Sequence, residues 1–176
     1  MRRLRFDPRQ DIISLALVRR LLDCSAMNIR RATSHDLDQL APLFDSYRQF
    51  YAQPPNLALA RSFLSERLAR AESVIFLALD GQERAIGFTQ LYPSFSSVSA
   101  ARAFILNDLF VAPDARRSGA GAALLRAAAD FGRTANAVGL ELSTAISNNG
   151  AQALYEREGW QRDREFFVYR LRLQSA

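Results

Sequence analysis

Midway along this chain the spacing of the apolar residues switches from the period of a helix to that of a strand, and the switch leaves few folds open. Leu37, Leu40, Phe44, Tyr47 and Tyr51 recur at intervals of three and four, which lines one face of a helix. Thr33 with Asp36 three residues on is a capping signature for its start, and Pro42 predicts a kink or a restart within it. Gln53-Pro54-Pro55-Asn56 breaks the chain, and Asn56 caps a second helix carrying Leu57, Ala60, Leu64 and Leu68. From Val74 to Leu79 the residues are instead β-branched and apolar without interruption. Asp80-Gly81 then turns the chain into a second run, Ala85 to Tyr92, which makes a hairpin.

The later segments follow the same logic. Ile29 to Ala32 is an opening strand, and Pro93 with Ser94, Ser96, Ser97 and Ser99 predicts a loop after the hairpin. Phe104 to Val111 is a third long strand, closed by Ala112-Pro113-Asp114. Ala122 to Arg133 is a helix, Leu140 to Thr144 a strand, and Ala151 to Glu158 a short helix stopped by Gly159. Phe166 to Leu173 is a last strand, with Phe167, Tyr169, Leu171 and Leu173 on one face. The order β-α-α-β-β-β-α-β-α-β predicts an α/β (α+β) domain, a mixed sheet with helices on both faces.

A chain of 176 residues can bury a core of this kind in one domain without metal or disulfide support. Cys24 and His35 are the single cysteine and histidine, so no intramolecular disulfide and no Cys/His zinc cluster can form. No metal is expected. All 23 basic residues are arginine, and the formal charge is +5. The arginines are scattered singly or in pairs rather than gathered into a patch, which argues against nucleic acid as a partner. No segment reaches the roughly 20 apolar residues of a membrane span. A cytoplasmic protein is the expectation.

Residues 1–26 read differently. Arg2, Arg3 and Arg5 precede a short apolar run from Ile12 to Val18, which ends at Arg19-Arg20, too short and too flanked by charge for a secretory signal. The segment is either an amphipathic helix packed on the domain or an upstream extension, with Met27 as the true start. The second reading is preferred, because Met27 leads directly into the opening strand. The domain proper is then 27–176.

Chemistry concentrates in two stretches. In the first, Asp108-Leu109-Phe110-Val111 leads through Ala112-Pro113-Asp114-Ala115 into Arg116-Arg117-Ser118-Gly119-Ala120-Gly121 and a helix. Glycines let backbone approach a ligand closely, and the first amides of a helix point together at a position favourable to an anion. The spacing is not that of a P-loop, since no Gly-Lys-Ser/Thr follows, and Leu124 occupies the third glycine position of a dinucleotide fingerprint. In the second stretch, Asn148-Asn149-Gly150-Ala151 follows a predicted strand. Tyr155 sits on the short helix beyond it, ahead of Gly159-Trp160. By itself Tyr155 reads equally as a core aromatic with a hydrogen-bonded tip.

Together, in this order, the two stretches resemble the GNAT superfamily of N-acetyltransferases. Arg116-Arg117-Ser118-Gly119-Ala120-Gly121 is similar to its pyrophosphate loop, and Asn148 to Trp160 is similar to its C-terminal motif, with Trp160 where Phe is commoner. The resemblance covers residues 27–173. It implies a mostly antiparallel central sheet splayed at the cofactor-binding strands, and acetyl-CoA as the acetyl donor. It further implies that the backbone of Leu109, Phe110 and Val111 pairs with the pantetheine arm. The amides of Arg117, Ser118, Gly119, Ala120, Gly121 and Ala122, next to Arg116, would hold the pyrophosphate. Asn148 and Ala151 would flank the thioester, and Tyr155 would protonate the leaving thiolate. A protonated amine acceptor also needs a base. Asp108 is the first candidate and Glu141 the second, with an Asp fixing a strand bulge as the alternative for Asp108.

Ser46 to Tyr51 and Leu106 to Val111 look most similar to a branch of the superfamily that holds a yeast histone and polyamine acetyltransferase. The acceptor expected is therefore a primary amine of a small polyamine-like molecule or a basic protein, gripped by Tyr47, Phe50, Tyr51, Tyr92 and Phe95. Those aromatics read equally as core. A protein N-terminus, an antibiotic or aminoacyl-tRNA as acceptor, and an acetyl-CoA sensor without turnover, are the alternatives. A homodimer through the C-terminal strands is a further implication of the resemblance.

Overall fold

The computed structural model describes residues 27–173, so the two readings of the segment 1–26 lie outside the described residues. The described residues fall into two compact units, 27–143 and 144–173. In the first unit β1 (Asn28–Arg31) leads to α1 (Leu37–Phe50) and α2 (Leu57–Ala69). There follow β2 (Val74–Leu79), β3 (Ala85–Ser96), β4 (Ala101–Val111), α3 (Ala120–Thr134) and the two-residue β5 (Leu140–Glu141). The strands lie in the order β1-β2-β3-β4-β5. Every pair is antiparallel except β4 with β5. The mixed, mostly antiparallel sheet is as expected.

Strand alternation sorts the core into two layers. Ile75, Leu77, Leu79, Phe88 and Phe110 share one face, and Leu40, Phe44, Ala60 and Leu64 of α1 and α2 close over it. On the other face Phe76, Ala78, Ile86, Leu109 and Val111 pack with Ala120 and Leu124 of α3. Each such fully buried aliphatic or aromatic side chain contributes about 1.5–3 kcal/mol of transfer free energy.

The start of α1 forms as predicted. The Thr33 backbone N–H donates to Asp36 Oδ2 at 2.8 Å while the Thr33 hydroxyl accepts from the His35 amide, a capping box opening a single 3-10 turn. Arg30 donates two further bonds to the Asp36 carboxylate, at 2.6 and 2.9 Å, and holds its pKa down at about 2. Asn56 caps α2 by accepting from the Leu59 amide at 2.9 Å.

Four expectations are corrected. Helix α1 does not restart at Pro42 but runs through it, because Leu40, Ala41, Leu43 and Phe44 on either side are buried and pin both turns. The hairpin is longer than the loop signal allowed: β3 continues through Pro93 to Ser96, paired with β4 from Ala101. Proline is tolerated there because β2 ends opposite Leu91, so beyond it one edge of β3 has no neighbour to which it must donate. Strand β5 stops at Glu141 rather than Thr144. Finally, Phe166 to Leu173 is not a strand. Phe167, Tyr169, Leu171 and Leu173 are all exposed, and among the described residues of the second unit there is no strand to take up the segment's backbone hydrogen bonds. Apolar alternation needs a partner before it becomes a strand.

Candidate active site

Strand β4 carries the central feature. It pairs with β3 along its whole length, but β5 meets its other edge only at Phe104 and Ile105. From Leu106 to Val111 that edge has no strand partner among the described residues, in keeping with the splay expected of the cofactor-binding strands. Leu109, Phe110 and Val111 therefore offer backbone donors and acceptors to an extended ligand.

Just before that edge the register of β3 with β4 shifts: Gln90 is opposite Asp108, while Leu91 is opposite Leu106, so Asn107 is a bulge. The Asn107 side chain donates to Asp108 Oδ1 at 3.1 Å, and the Thr89 hydroxyl donates to the Asp108 carbonyl at 2.8 Å. The bulge-fixing role foreseen as the alternative for Asp108 is thus present in the structure. It does not use the whole carboxylate, because Oδ2 is buried without a hydrogen-bond partner. Asp108 is only 3% exposed, and burial pushes its carboxyl above the usual range, an effect that Tyr47 and Asn107 partly offset. A raised pKa on a buried carboxylate suits a group that takes up a proton. Glu141, by contrast, is exposed on β5 near Ile105.

The aromatics named from the sequence divide. Tyr47 packs on the core between Phe88 and Phe110, and its hydroxyl lies 3.5 Å from the Asn107 carbonyl. Tyr51 follows with its ring 5.1 Å from Tyr47, and Phe50 with its ring 5.2 Å from Tyr51; both are about half exposed. This aromatic run leads from the surface to Asp108. Phe95 stands apart, exposed near the hairpin tip with Arg102 over its ring. Tyr92 accepts a hydrogen bond from Gln90 Nε2 at 2.8 Å. Burial first, and then the nearby Asp108 charge, push its hydroxyl up to about 12.

After β4 the chain passes through Pro113–Ala115 into the loop of Arg116, Arg117, Ser118 and Gly119, all exposed. Arg117 has φ +65° and Gly119 φ +90°. A left-handed arginine is costly, and such strain is typical of ligand-binding turns. Gly119 is the N-cap of α3, which begins at Ala120, two residues earlier than the sequence suggested. The Ala120 amide bonds to the Ser118 hydroxyl at 3.4 Å. At Gly121 and Ala122, in the first turn of α3, the backbone amides have no carbonyl of their own helix to donate to. A Cβ added at Gly119 would meet nothing within 4 Å, so the space beside the loop at Gly119 is open.

The second unit contains α4 (Asn149–Arg157). Asn148 is not at a strand end, as expected from the sequence, but is the N-cap of α4, its Oδ1 accepting from the Ala151 amide at 3.3 Å. Its side-chain NH2 is not used in that cap. At the other end, Trp160 N–H donates to the Tyr155 carbonyl and Gly159 N–H to the Glu156 carbonyl. With Gly159 at φ +86° this is a Schellman cap, and the Tyr155 and Trp160 rings, 6.4 Å apart, supply its apolar contact. The spacing from Tyr155 to Gly159-Trp160 has this local cause whatever else Tyr155 does.

Sequence reasoning missed Gln90, which is fully buried. Its signal was there: Thr89-Gln90 are the polar residues inside the apolar run from Ala85 to Tyr92. Among the described residues no group of three or more His, Cys, Asp or Glu is arranged to hold a metal, and no helix is long and apolar enough to cross a membrane.

The fold, the half-paired β4 and the strained loop ahead of α3 together describe an acyl-CoA-type acetyltransferase scaffold. Residues 37–160 match the Acetyltransferase (GNAT) family, and the chain belongs to that family. It is 50% identical over 143 residues to the uncharacterized N-acetyltransferase YhfO of Bacillus subtilis (strain 168), covering 81% of this chain and 95% of that protein. Among solved structures, a probable acetyltransferase aligns with TM-score 0.81 at 45% identity, over 85% of this chain and 99% of the other. An aminoglycoside N-acetyltransferase in complex with CoA shares the fold, with TM-score 0.70 at 20% identity over 85% and 97% of the two chains.

Proposed function

We propose that this acetyltransferase moves the acetyl group of acetyl-CoA onto a primary amine of a small polyamine-like molecule or a basic protein. The observation that carries this reading is the buried carboxylate of Asp108, set at a bulge beside the unpaired edge of β4 and at the end of an aromatic run. Backbone of Leu109, Phe110 and Val111 holds the pantetheine arm as an added strand. Arg116, Arg117, Ser118, Gly119, Ala120, Gly121 and Ala122 hold the pyrophosphate. The open, amide-rich loop and the CoA complex of a protein with the same fold support that donor. Bound acetyl-CoA supplies the thioester.

An aliphatic ammonium has a pKa near 10.4, so its free-base form at neutral pH costs about 4 kcal/mol. Asp108 takes that proton, directly or through water. The freed lone pair attacks the thioester carbonyl carbon, the C–N bond forms and the C–S bond breaks. The thiolate leaves with the hydroxyl proton of Tyr155, while Asn148 and Ala151 act at the thioester end. Tyr47, Tyr51 and Phe50 present π-faces that favour a cationic acceptor.

Free-thiol release from acetyl-CoA, screened against polyamines, amino acids, aminoglycosides and basic peptides, tests the reading. Release with polyamines or basic peptides supports it, and release only with another class corrects the acceptor. Tight acetyl-CoA binding with no release on any amine would overturn transfer in favour of a sensor.

A further inference from the structure

Resting on that reading, we propose that Gln90 is a second contact for the acceptor nitrogen: its side-chain carbonyl and Asp108 Oδ2 together receive the N–H groups of an aliphatic ammonium. The two residues are direct partners across β3 and β4. Directly opposed residues of an antiparallel pair have Cβ atoms about 4.5–5.5 Å apart and point to the same face. Here that face is the one covered by α1 and α2, where Phe88 and Phe110 also lie.

Both side chains are buried, Gln90 completely, and each ends in an oxygen with no hydrogen-bond partner. The rest of each group is engaged. Gln90 Nε2 donates to the Tyr92 hydroxyl at 2.8 Å, which fixes the amide with its oxygen turned away from Tyr92. Asp108 Oδ1 accepts from Asn107, which leaves Oδ2. Buried acceptors are rarely left unpaired, and two on facing residues, with the Tyr47 hydroxyl as the nearby group that eases the Asp108 charge, call for a ligand carrying several donors. An ammonium carries them, and its charge matches the carboxylate. An arylamine or an amide nitrogen, uncharged at neutral pH, does not. Tyr47, at the inner end of the aromatic run, is the side chain that an entering amine meets first.

The test uses Gln90→Met, which keeps length and apolar volume while removing the amide, and Tyr92→Phe, which keeps the ring but releases Nε2. With the best amine from the thiol-release panel at saturating acetyl-CoA, Q90M should raise the amine KM and lower kcat/KM about 10- to 100-fold, the loss of a charge-assisted bond. The acetyl-CoA Kd should not change. Y92F should shift the amine KM the same way by about three- to tenfold, and it serves as the test if Q90M does not fold. Gln90→Glu keeps an oxygen, so it should retain amine affinity, and its added charge should move the acidic limb of the pH profile upward. A folded Q90M whose melting temperature falls while its amine KM and kcat/KM stay within about twofold overturns the proposal. Gln90 then only braces β3 through its amide bond to Tyr92. If the wild-type protein acetylates no amine, the transfer reading fails and takes this one with it; if the wild type turns over and Q90M matches it, this one fails alone.

Discussion

Replacing Asp108 by Asn should make the protein more stable and less active, and the stability gain should depend on pH. Asp108 is 3% exposed, and burial raises its carboxyl pKa. The folded state therefore binds this proton more tightly than the unfolded state does, and stability from this group is greatest when it is protonated. It is lost as pH rises from the unfolded value of 3.8 through the raised folded value. Each unit of elevation corresponds to about 1.36 kcal/mol against the ionised form. An Asn keeps one acceptor for Asn107 and replaces Oδ2 with an NH2 that can donate to the oxygen of Gln90, its partner across the sheet. That new hydrogen bond adds about 0.5–1.5 kcal/mol. The Tm at pH 8 should therefore rise, by roughly 2–4 °C for each kcal/mol gained in a chain of this size. Turnover should fall about 10²- to 10⁴-fold, the usual contribution of a general base. Thermal melts of both proteins from pH 4 to pH 9, beside thiol-release rates, measure the two effects. The gain should shrink towards acid pH, where wild-type Asp108 is itself neutral. A D108N that melts lower than wild type at pH 8, or by a pH-independent offset, would refute the reasoning from burial, and an unchanged rate would remove Asp108 as the base.

Tyr155→Phe should lower turnover about 10- to 100-fold with acetyl-CoA affinity within about twofold, read by thiol release and calorimetric titration; an unaffected rate leaves Tyr155 as only the apolar partner in the α4 cap. Gly119→Ala forces a side chain onto φ +90°, so it should cost about 1–2 kcal/mol and weaken acetyl-CoA binding about tenfold. Equal affinity would show that the loop does not hold the pyrophosphate. Asp36→Ala should destabilise by about 1–2 kcal/mol at neutral pH, a figure reduced from the full pKa shift because Arg30 is 39% exposed and screened. The sign is opposite to that of Asp108. Asp36 sits below its unfolded value, so its stabilisation is present above pH 3.8 and is lost as pH falls through about 2; the difference in urea midpoint between variant and wild type should be larger at pH 7 than at pH 2.

What the sequence determined by itself is what local chemistry fixes. Thr33 and Asp36 cap the 3-10 turn that leads into α1 and Asn56 caps α2, with neighbours in sequence supplying the partners, and the run from Val74 to Leu79 reads as a strand from its own residues. The same holds for the two motifs, since a glycine at φ +90° ahead of α3 and a Schellman cap after Tyr155 are properties of a few consecutive residues. Whatever depends on a partner distant in the chain was decided only by tertiary structure. Pro93 joins β3 because β2 ends opposite Leu91, and Phe166 to Leu173 forms no strand because, among the described residues, its unit offers it none. Asp108 was legible as a candidate, but not the bulge at Asn107 that turns it, nor the sheet register that brings Gln90 opposite it with both oxygens buried. Register is a long-range quantity, in which one extra residue changes which side chains face each other, and no local spacing encodes it.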